Sequence, residues 1–173
     1  MHDYVDGLMG DWGREQPAVD LSPMGVVNRV LRTGQLVQAR LDVVAASHGL
    51  GRKGDLDVLS ALRRNGRPYE QTPSWLARAV QLTTGGMTNR LDRLEVAGLV
   101  ERRPDPADRR GVLVRLTDAG VELVDEAFAA ALAEQRRMLA DLDDRDRATL
   151  AELLERLLVS LGDVAEVSNR GTS

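Results

Sequence analysis

The sequence contains no cysteine, and aromatic residues make up only 3% of its 173 residues. The absence of cysteine excludes disulfide bonds, thiol redox sensing and cysteine nucleophiles. The two histidines, His2 and His48, lie far apart, which argues against a histidine-rich metal site and leaves carboxylates as the remaining candidate ligands. We therefore expect no metal and no other cofactor.

Long hydrophobic runs and catalytic motifs are missing as well. No apolar run approaches the roughly 20 residues of a membrane-spanning helix. The opening residues, MHDYVDGLMGDWG, carry acids where a secretory signal requires bases. The sequence holds no Gly-x-Ser-x-Gly motif and no phosphate-binding glycine loop. We expect a cytoplasmic protein that makes no membrane contact and is not an enzyme.

Basic residues are concentrated in the middle of a chain whose net charge is −4. Residues 52–116 hold 13 basic and 8 acidic residues, a net charge of +5. The flanking segments 1–51 and 117–173 carry net charges of −2 and −7. An uneven solvated surface would explain this distribution, and so would a local site for nucleic acid.

Hydrophobic residues, 43% of the chain, recur mainly at helical spacing. We predict that Ser22, Thr117 and Asp143 begin helices as N-caps, with Pro23 in the first turn after Ser22. The predicted helices cover residues 4–12, 22–47, 53–64, 73–80, 84–97, 118–139 and 144–161.

Between the fifth and sixth of these helices the pattern changes to two short strands, residues 99–102 and 112–116, around the polar stretch RPDPADRRG. Short helices followed by such a hairpin predict a mainly α fold with a small β-hairpin wing, a winged helix-turn-helix with six or seven helices. The leucines of the last helix exceed what one small domain needs, which favours an intertwined homodimer. The predicted organisation is an N-terminal extension (1–20), a dimerisation helix (21–50), a winged helix-turn-helix region (51–117), C-terminal dimerisation helices (118–165) and a disordered tail (166–173).

The helix predicted over residues 84–97 has the chemistry of a helix that reads DNA. At about 100° per residue, Met87, Leu91 and Leu94 share one face and point to the core. Asn89 and Arg93 lie on the opposite face, where they can bond to base edges or phosphates. An ordinary amphipathic helix with a solvated outer face is the alternative.

Residues 83–117, TTGGMTNRLDRLEVAGLVERRPDPADRRGVLVRLT, resemble the recognition helix and wing of the MarR family. The pattern L-x-x-L-x-x-x-G-L-V-x-R-x-x-D-P-x-D-x-R runs from Leu91 to Arg110. The resemblance implies a homodimer whose subunits each bind half of a pseudo-palindromic double-stranded DNA operator, with repression as the usual outcome. It implies that the major groove meets Thr88, Asn89 and Arg93 and that the minor groove meets Arg109. The full set of predicted DNA-binding residues is Thr84, Gly86, Thr88, Asn89, Arg93, Arg109 and Arg110.

Arg90 lies at the margin of the inward face, and a partly buried arginine needs a carboxylate or an anionic ligand as partner. The sequence is also similar to the urate-responsive branch of the MarR family. That similarity implies a site for a small anionic aromatic effector such as urate, formed by Trp12, Asp57, Asn65, Arg90 and Arg102. Arg103 replaces Arg102 if the register shifts by one residue.

The implied mechanism is derepression, in which a ligand at Arg90 competes with a pairing between Asp57 and that arginine and shifts the reading helix. Two alternatives stay open. One is a regulator that responds to no ligand, in which Arg90 forms a structural ion pair. The other is a winged helix that binds proteins instead of DNA.

Overall fold

The computed structural model describes residues 2–108 and 110–163, apart from the side chain of Thr84. These residues form seven α-helices and three strands. Their bounds are α1 Tyr4–Glu15, α2 Ser22–Ser47, α3 Lys53–Arg64, β1 Glu70–Gln71, α4 Pro73–Ala79, α5 Thr84–Val96, β2 Val100–Pro104, β3 Val112–Leu116, α6 Asp118–Met138 and α7 Asp144–Ser160. The predicted site residue Arg109 and the predicted tail, residues 166–173, lie outside the described residues.

The chain divides into two compact units, residues 1–134 and residues 135–173. The first unit contains the sheet, helices α1 to α5 and most of α6, and the second contains the end of α6 and α7. The predicted mainly α fold with a small β wing is confirmed.

Helix α3 provides the centre of the first unit's core. Leu56, Leu59 and Leu62, which recur at helical spacing, are buried, and so are Val58 and Ala61 between them. Apolar side chains from α4, α5 and the sheet complete the core, including Leu76, Met87, Leu91, Leu94, Val100 and Val114. The predicted inward face of α5 is thereby confirmed, and α5 is held by burial along one side.

The sheet has the order β1-β3-β2 and is antiparallel throughout. Strands β2 and β3 form the predicted hairpin, with Val100 opposite Leu116 and Pro104 opposite Val112. Strand β1 was not predicted, because two residues that pair with β3 leave no alternating pattern in the sequence.

Two of the three predicted caps are confirmed. The Thr117 hydroxyl accepts from Gly120 N at 3.0 Å, and the Asp143 carboxylate accepts from Asp146 N at 2.8 Å. The prediction for Ser22 is wrong, since α2 already includes this residue and its N-cap Leu21 makes no side-chain bond. Asp20 instead accepts from the backbone N–H of Ser22 at 2.9 Å.

Helix α1 extends three residues beyond the predicted end and packs on α2, and its Val5 is buried. Asp3 and Asp6 form a reciprocal capping box, and both carboxylates bind Arg29 of α2. The hydrogen bond from Arg29 is the main cause of a lowered Asp3 pKa. The Asp3 backbone N–H, helped by Arg29, lowers the pKa of Asp6. Paired charges thus hold α1 against α2.

Helices α2 and α7 each leave many large apolar side chains exposed. Helix α7 has no buried residue. The exposed apolar residues on these two helices are Val26, Val27, Val30, Leu31, Leu36, Val43, Leu150, Leu153, Leu154, Leu158 and Val159. None of the helices in the described part of the chain combines the length and hydropathy of a membrane span.

Candidate nucleic-acid interface

Helices α4 and α5 form a helix-turn-helix whose two starts are fixed by threonine caps. Thr72 accepts from Trp75 N, and Thr83 accepts from Gly86 N, each at 3.2 Å. In the turn between the helices, Leu82 N donates to Ala77 O at 2.8 Å. Thr83 is therefore the N-cap of α5, one of the two threonines, Thr83 and Thr84, that the sequence allowed for this helix start.

The outer face of α5 is exposed and polar. Gly86, Thr88, Asn89 and Arg93 are exposed on it, and the backbone of Thr84 forms its first turn. A Cβ at Gly85 would meet nothing within 4 Å, so the backbone there is open to close approach. This face presents hydrogen-bonding groups of the kinds that read base edges and contact phosphates.

The tip of the β2–β3 hairpin is closed by its own backbone and carboxylates. Asp105 N donates to Gly111 O at 3.0 Å, and Asp108 Oδ1 accepts from Arg110 N at 2.9 Å. Arg110 is exposed at this tip. The wing thus presents the cation of Arg110 on a loop that is held by hydrogen bonds within the loop itself.

Arg102 joins the wing to α5. Its guanidinium lies 2.6 Å from Asp92 and 2.5 Å from Glu95, and its backbone N–H also donates to Glu95. The hydrogen bond to Asp92 is the main cause of a raised Arg102 pKa. Two carboxylates of α5 therefore engage the predicted ligand-binding arginine, while the alternative, Arg103, pairs with Glu101.

The expected pairing of Arg90 with Asp57 is wrong. Asp57 binds Lys53 of the same helix at 2.6 Å, whereas Arg90 Nε lies 3.4 Å from Asp55 Oδ1. Asp55 is only 3% exposed, and it also accepts from Arg93 at 3.0 Å. Sequence reasoning missed Asp55, although this residue lies in phase with the buried Leu59 and Leu62.

The other predicted ligand residues are spread over the fold. Trp12 is half-exposed on α1, and Asn65 ends α3 as its C-cap. Among the described contacts, no hydrogen bond or ion pair joins two of the five predicted ligand residues. Nor do the described residues contain a cluster of three or more His, Asp or Glu side chains arranged to hold a metal ion.

Two cavities flank Ser60 and Arg64 of α3. The smaller, about 240 Å³, lies against the helix-turn-helix turn, and the larger, about 440 Å³, lies between α3 and α6. The smaller is lined by Asp57, Ser60, Arg64, Ala79, Val80 and Gln81. The larger is lined by Ser60, Arg63, Arg64, Val124, Asp125 and Phe128. Of the five predicted ligand residues, Asp57 lines the smaller cavity and the other four line neither.

Comparison with known proteins identifies the family. The sequence profile of the MarR family matches residues 48–111, which include α3, the helix-turn-helix and most of the wing. The regulator PecS of Dickeya dadantii, an HTH-type transcriptional regulator, is 33% identical over 153 residues, which cover 88% of this chain and 92% of PecS. The chain belongs to the MarR family.

Solved structures of MarR-family proteins share the fold. A mutant of Escherichia coli MarR complexed with operator DNA is 26% identical and superposes with a TM-score of 0.70, covering 82% of this chain and 99% of that one. AbsC of Streptomyces coelicolor, at 24% identity, shows the likeness of fold alone, with a TM-score of 0.73 over 84% of this chain and 98% of AbsC. This MarR-family protein is therefore a DNA-binding transcriptional regulator, and the relatives named here are regulators and not enzymes.

The bonds of Arg102 predict a measurable contribution to stability. Replacing Arg102 with Ala leaves Asp92 and Glu95 without their shared cation, so we expect the free energy of unfolding to fall by about 1 kcal/mol. Urea denaturation at a fixed protein concentration measures this change. The matched control is Arg103→Ala, whose half-exposed pair with Glu101 is expected to contribute less than about 0.5 kcal/mol. Equal losses for the two variants would contradict the joining role of Arg102.

Proposed function

We propose that this MarR-family protein is a homodimeric repressor that binds a pseudo-palindromic operator and is released by a small anionic aromatic ligand. The observation that carries the DNA-binding part is the exposed polar face of α5, connected through Arg102 to a wing with Arg110 at its tip. A helix of this kind fits the major groove, and the wing reaches the neighbouring backbone or minor groove.

Within the proposed interface, Asn89 has the clearest reading role. Its side-chain amide can form two hydrogen bonds with the edge of an adenine, and the residue is exposed in the middle of α5. Thr88, Arg93 and the backbone at Gly86 surround it, with Thr84 at the start of the helix and Arg109 and Arg110 in the wing. The existence of a MarR structure with operator DNA supports this use of the fold.

Asn89→Ala should lower affinity for the operator about tenfold, because one bidentate base contact contributes about 1–3 kcal/mol of discrimination. Fluorescence anisotropy with a labelled duplex from the promoter upstream of the protein's own gene measures this affinity. A scrambled duplex should bind both proteins equally, and wild-type affinity should fall steeply with salt. Val96→Ala, an exposed change at the far end of α5, is the control variant. Unchanged operator affinity in Asn89→Ala would remove Asn89 from the interface.

The dimer is proposed because α2 and α7 expose more apolar surface than a monomer normally carries. A second copy of the chain that covers segments 21–50 and 118–165 would bury these side chains. Such an arrangement places two reading helices on one duplex, and two-fold symmetry then matches the two halves of the operator.

Leu154→Asp should convert the dimer to a monomer, because it puts a charge among the exposed leucines of α7. Light scattering coupled to size-exclusion chromatography measures the mass, which is expected to halve. Arg156→Asp is the control, since this residue lies on the opposite face of α7 and the substitution changes the charge by a larger amount. A monomeric wild type, or a dimeric Leu154→Asp variant, would contradict the proposed interface.

We place the proposed effector in the cavity between α3 and α6. Its volume of about 440 Å³ suits a single-ring or two-ring molecule. Phe128 offers a ring for stacking, Ser60 offers a hydroxyl, and Arg64 offers a guanidinium that can hold a carboxylate or urate oxygen. Arg90 and Arg102 are engaged by carboxylates of the protein itself, so we favour Arg64 as the anion's partner.

Urate or benzoate at about 100 times its Kd should raise the Tm of the wild type by about 5–10 °C, because binding to the folded state stabilises it by mass action. Arg64→Ala should lose that shift, and it should also lose the release of promoter DNA by the same ligand. Arg78→Ala, an exposed arginine that lines neither cavity, is the matched control. DNA binding without any response to either ligand would favour the ligand-independent regulator, and failure to bind any promoter duplex at low salt would favour a protein-interaction module.

A further inference from the structure

A buried carboxylate lies directly behind the proposed reading helix. Asp55 belongs to the first turn of α3 and is only 3% exposed. Its Oδ2 accepts from the backbone N–H of Gly51 at 3.2 Å. Carboxylates this deeply buried are retained only when they are paired, because an unpaired charge in the interior is strongly destabilising.

Two arginines of α5 converge on the same oxygen of this carboxylate. Arg93 Nη2 donates to Asp55 Oδ1 at 3.0 Å, and Arg90 Nε lies 3.4 Å from that oxygen. The two arginines are three residues apart, on successive turns of α5. Arg90 Nε is buried and makes no hydrogen bond, so Asp55 supplies its countercharge.

The chain leaves space for the Arg90 guanidinium at the residue before the carboxylate. A Cβ added at Gly54 would lie 1.9 Å from Arg90 Nη1 and 2.7 Å from Arg90 Cζ. Any side chain at this position would therefore displace Arg90. Gly54 leaves room for the Arg90 guanidinium, and Asp55 supplies its countercharge. We call these two residues the cradle.

The same turn is attached to α2 as well. Asp42 of α2 accepts from the backbone N–H of Lys53 at 2.7 Å, which fixes the first residue of α3. The first turn of α3 thus contacts α2 on one side and α5 on the other.

We infer that Asp55 is a positioning residue for DNA recognition. Asp55 is buried and therefore does not touch DNA itself. It holds Arg90 and Arg93 so that Asn89, the residue before Arg90 on α5, faces the groove in a fixed orientation. This inference rests on the proposed DNA-binding function. It predicts that removing the charge of Asp55 weakens binding to the promoter. Electrostatics alone predicts stronger binding, because removing a negative charge near DNA strengthens the attraction to phosphates.

Asp55→Asn keeps the size of the side chain and removes its charge, so the two arginines lose their shared partner. We expect affinity for the labelled promoter duplex to fall about tenfold or more, the size of one lost base contact, while affinity for a scrambled duplex stays equal or rises slightly. The ratio of the two affinities is a readout that loss of folded protein alone does not move, because unfolding lowers both equally.

Gly54→Ala tests the same point with the carboxylate intact. Alanine favours the helix more than glycine does, yet its Cβ must push Arg90 out of the cradle. The promoter affinity should fall as in Asp55→Asn. Gly7→Ala is the matched control, since a Cβ at Gly7 of α1 would meet nothing within 4 Å, and it should bind the promoter like the wild type. If Asp55→Asn does not fold, Gly54→Ala decides the result.

A double mutant separates positioning from a purely structural role. If Asp55 acts through Asn89, then Asn89→Ala should cost much less in the Asp55→Asn background than in the wild type, and additive losses would contradict that coupling. Folded Asp55→Asn and Gly54→Ala variants that bind the promoter as tightly as the wild type would overturn the inference while leaving the proposed function standing. A wild type that does not distinguish the promoter from the scrambled duplex, here and with other candidate promoters, would overturn both.

Discussion

Helix α3 is buried on most of its sides, because α2, α4 and the sheet pack against it. Val58, Leu59, Ala61 and Leu62 are fully buried within one turn and a half. Because such an interior is close-packed, its neighbours cannot slide past it without opening voids. Helix α5, the proposed reading helix, is held against α3 and its neighbours by its own apolar face and by the ion pairs of Asp55 with Arg90 and Arg93. Orientation of the DNA-binding surface therefore depends on one short central helix.

Much of the fold could be predicted because its signals are local. The bounds of α3, the threonine starts of α4 and α5, and the hairpin strands all follow from caps, turns and periodicity within a few residues. Strand β1 and the start of α2 were not predicted correctly. Strand β1 exists only through its pairing with β3, which lies far along the chain. Ser22 does not cap α2, because its backbone N–H and its hydroxyl both donate to the carboxylate of Asp20.

In the candidate site, the direction in which a side chain points could be predicted from the sequence, but the partner of a charged side chain could not. The outward placement of Asn89 and the inward placement of Met87 follow from helical geometry. Partners of charged side chains do not, because they come from other elements: Arg102 finds its carboxylates on α5, across the turn into the wing. For Arg90, similarity to a branch of the family favoured Asp57, although helical phase points to Asp55 as the buried acid of α3. Periodicity was the better guide at that position.

Pairing within the protein also changes how the basic segment meets DNA. Carboxylates of the chain itself engage Lys53, Arg63, Arg90, Arg93, Arg102 and Arg103, a large share of the bases between residues 52 and 116. Fewer counterions are then released from a duplex than the number of arginines implies. The count of basic residues in this segment therefore overstates the positive charge that it offers to phosphate groups.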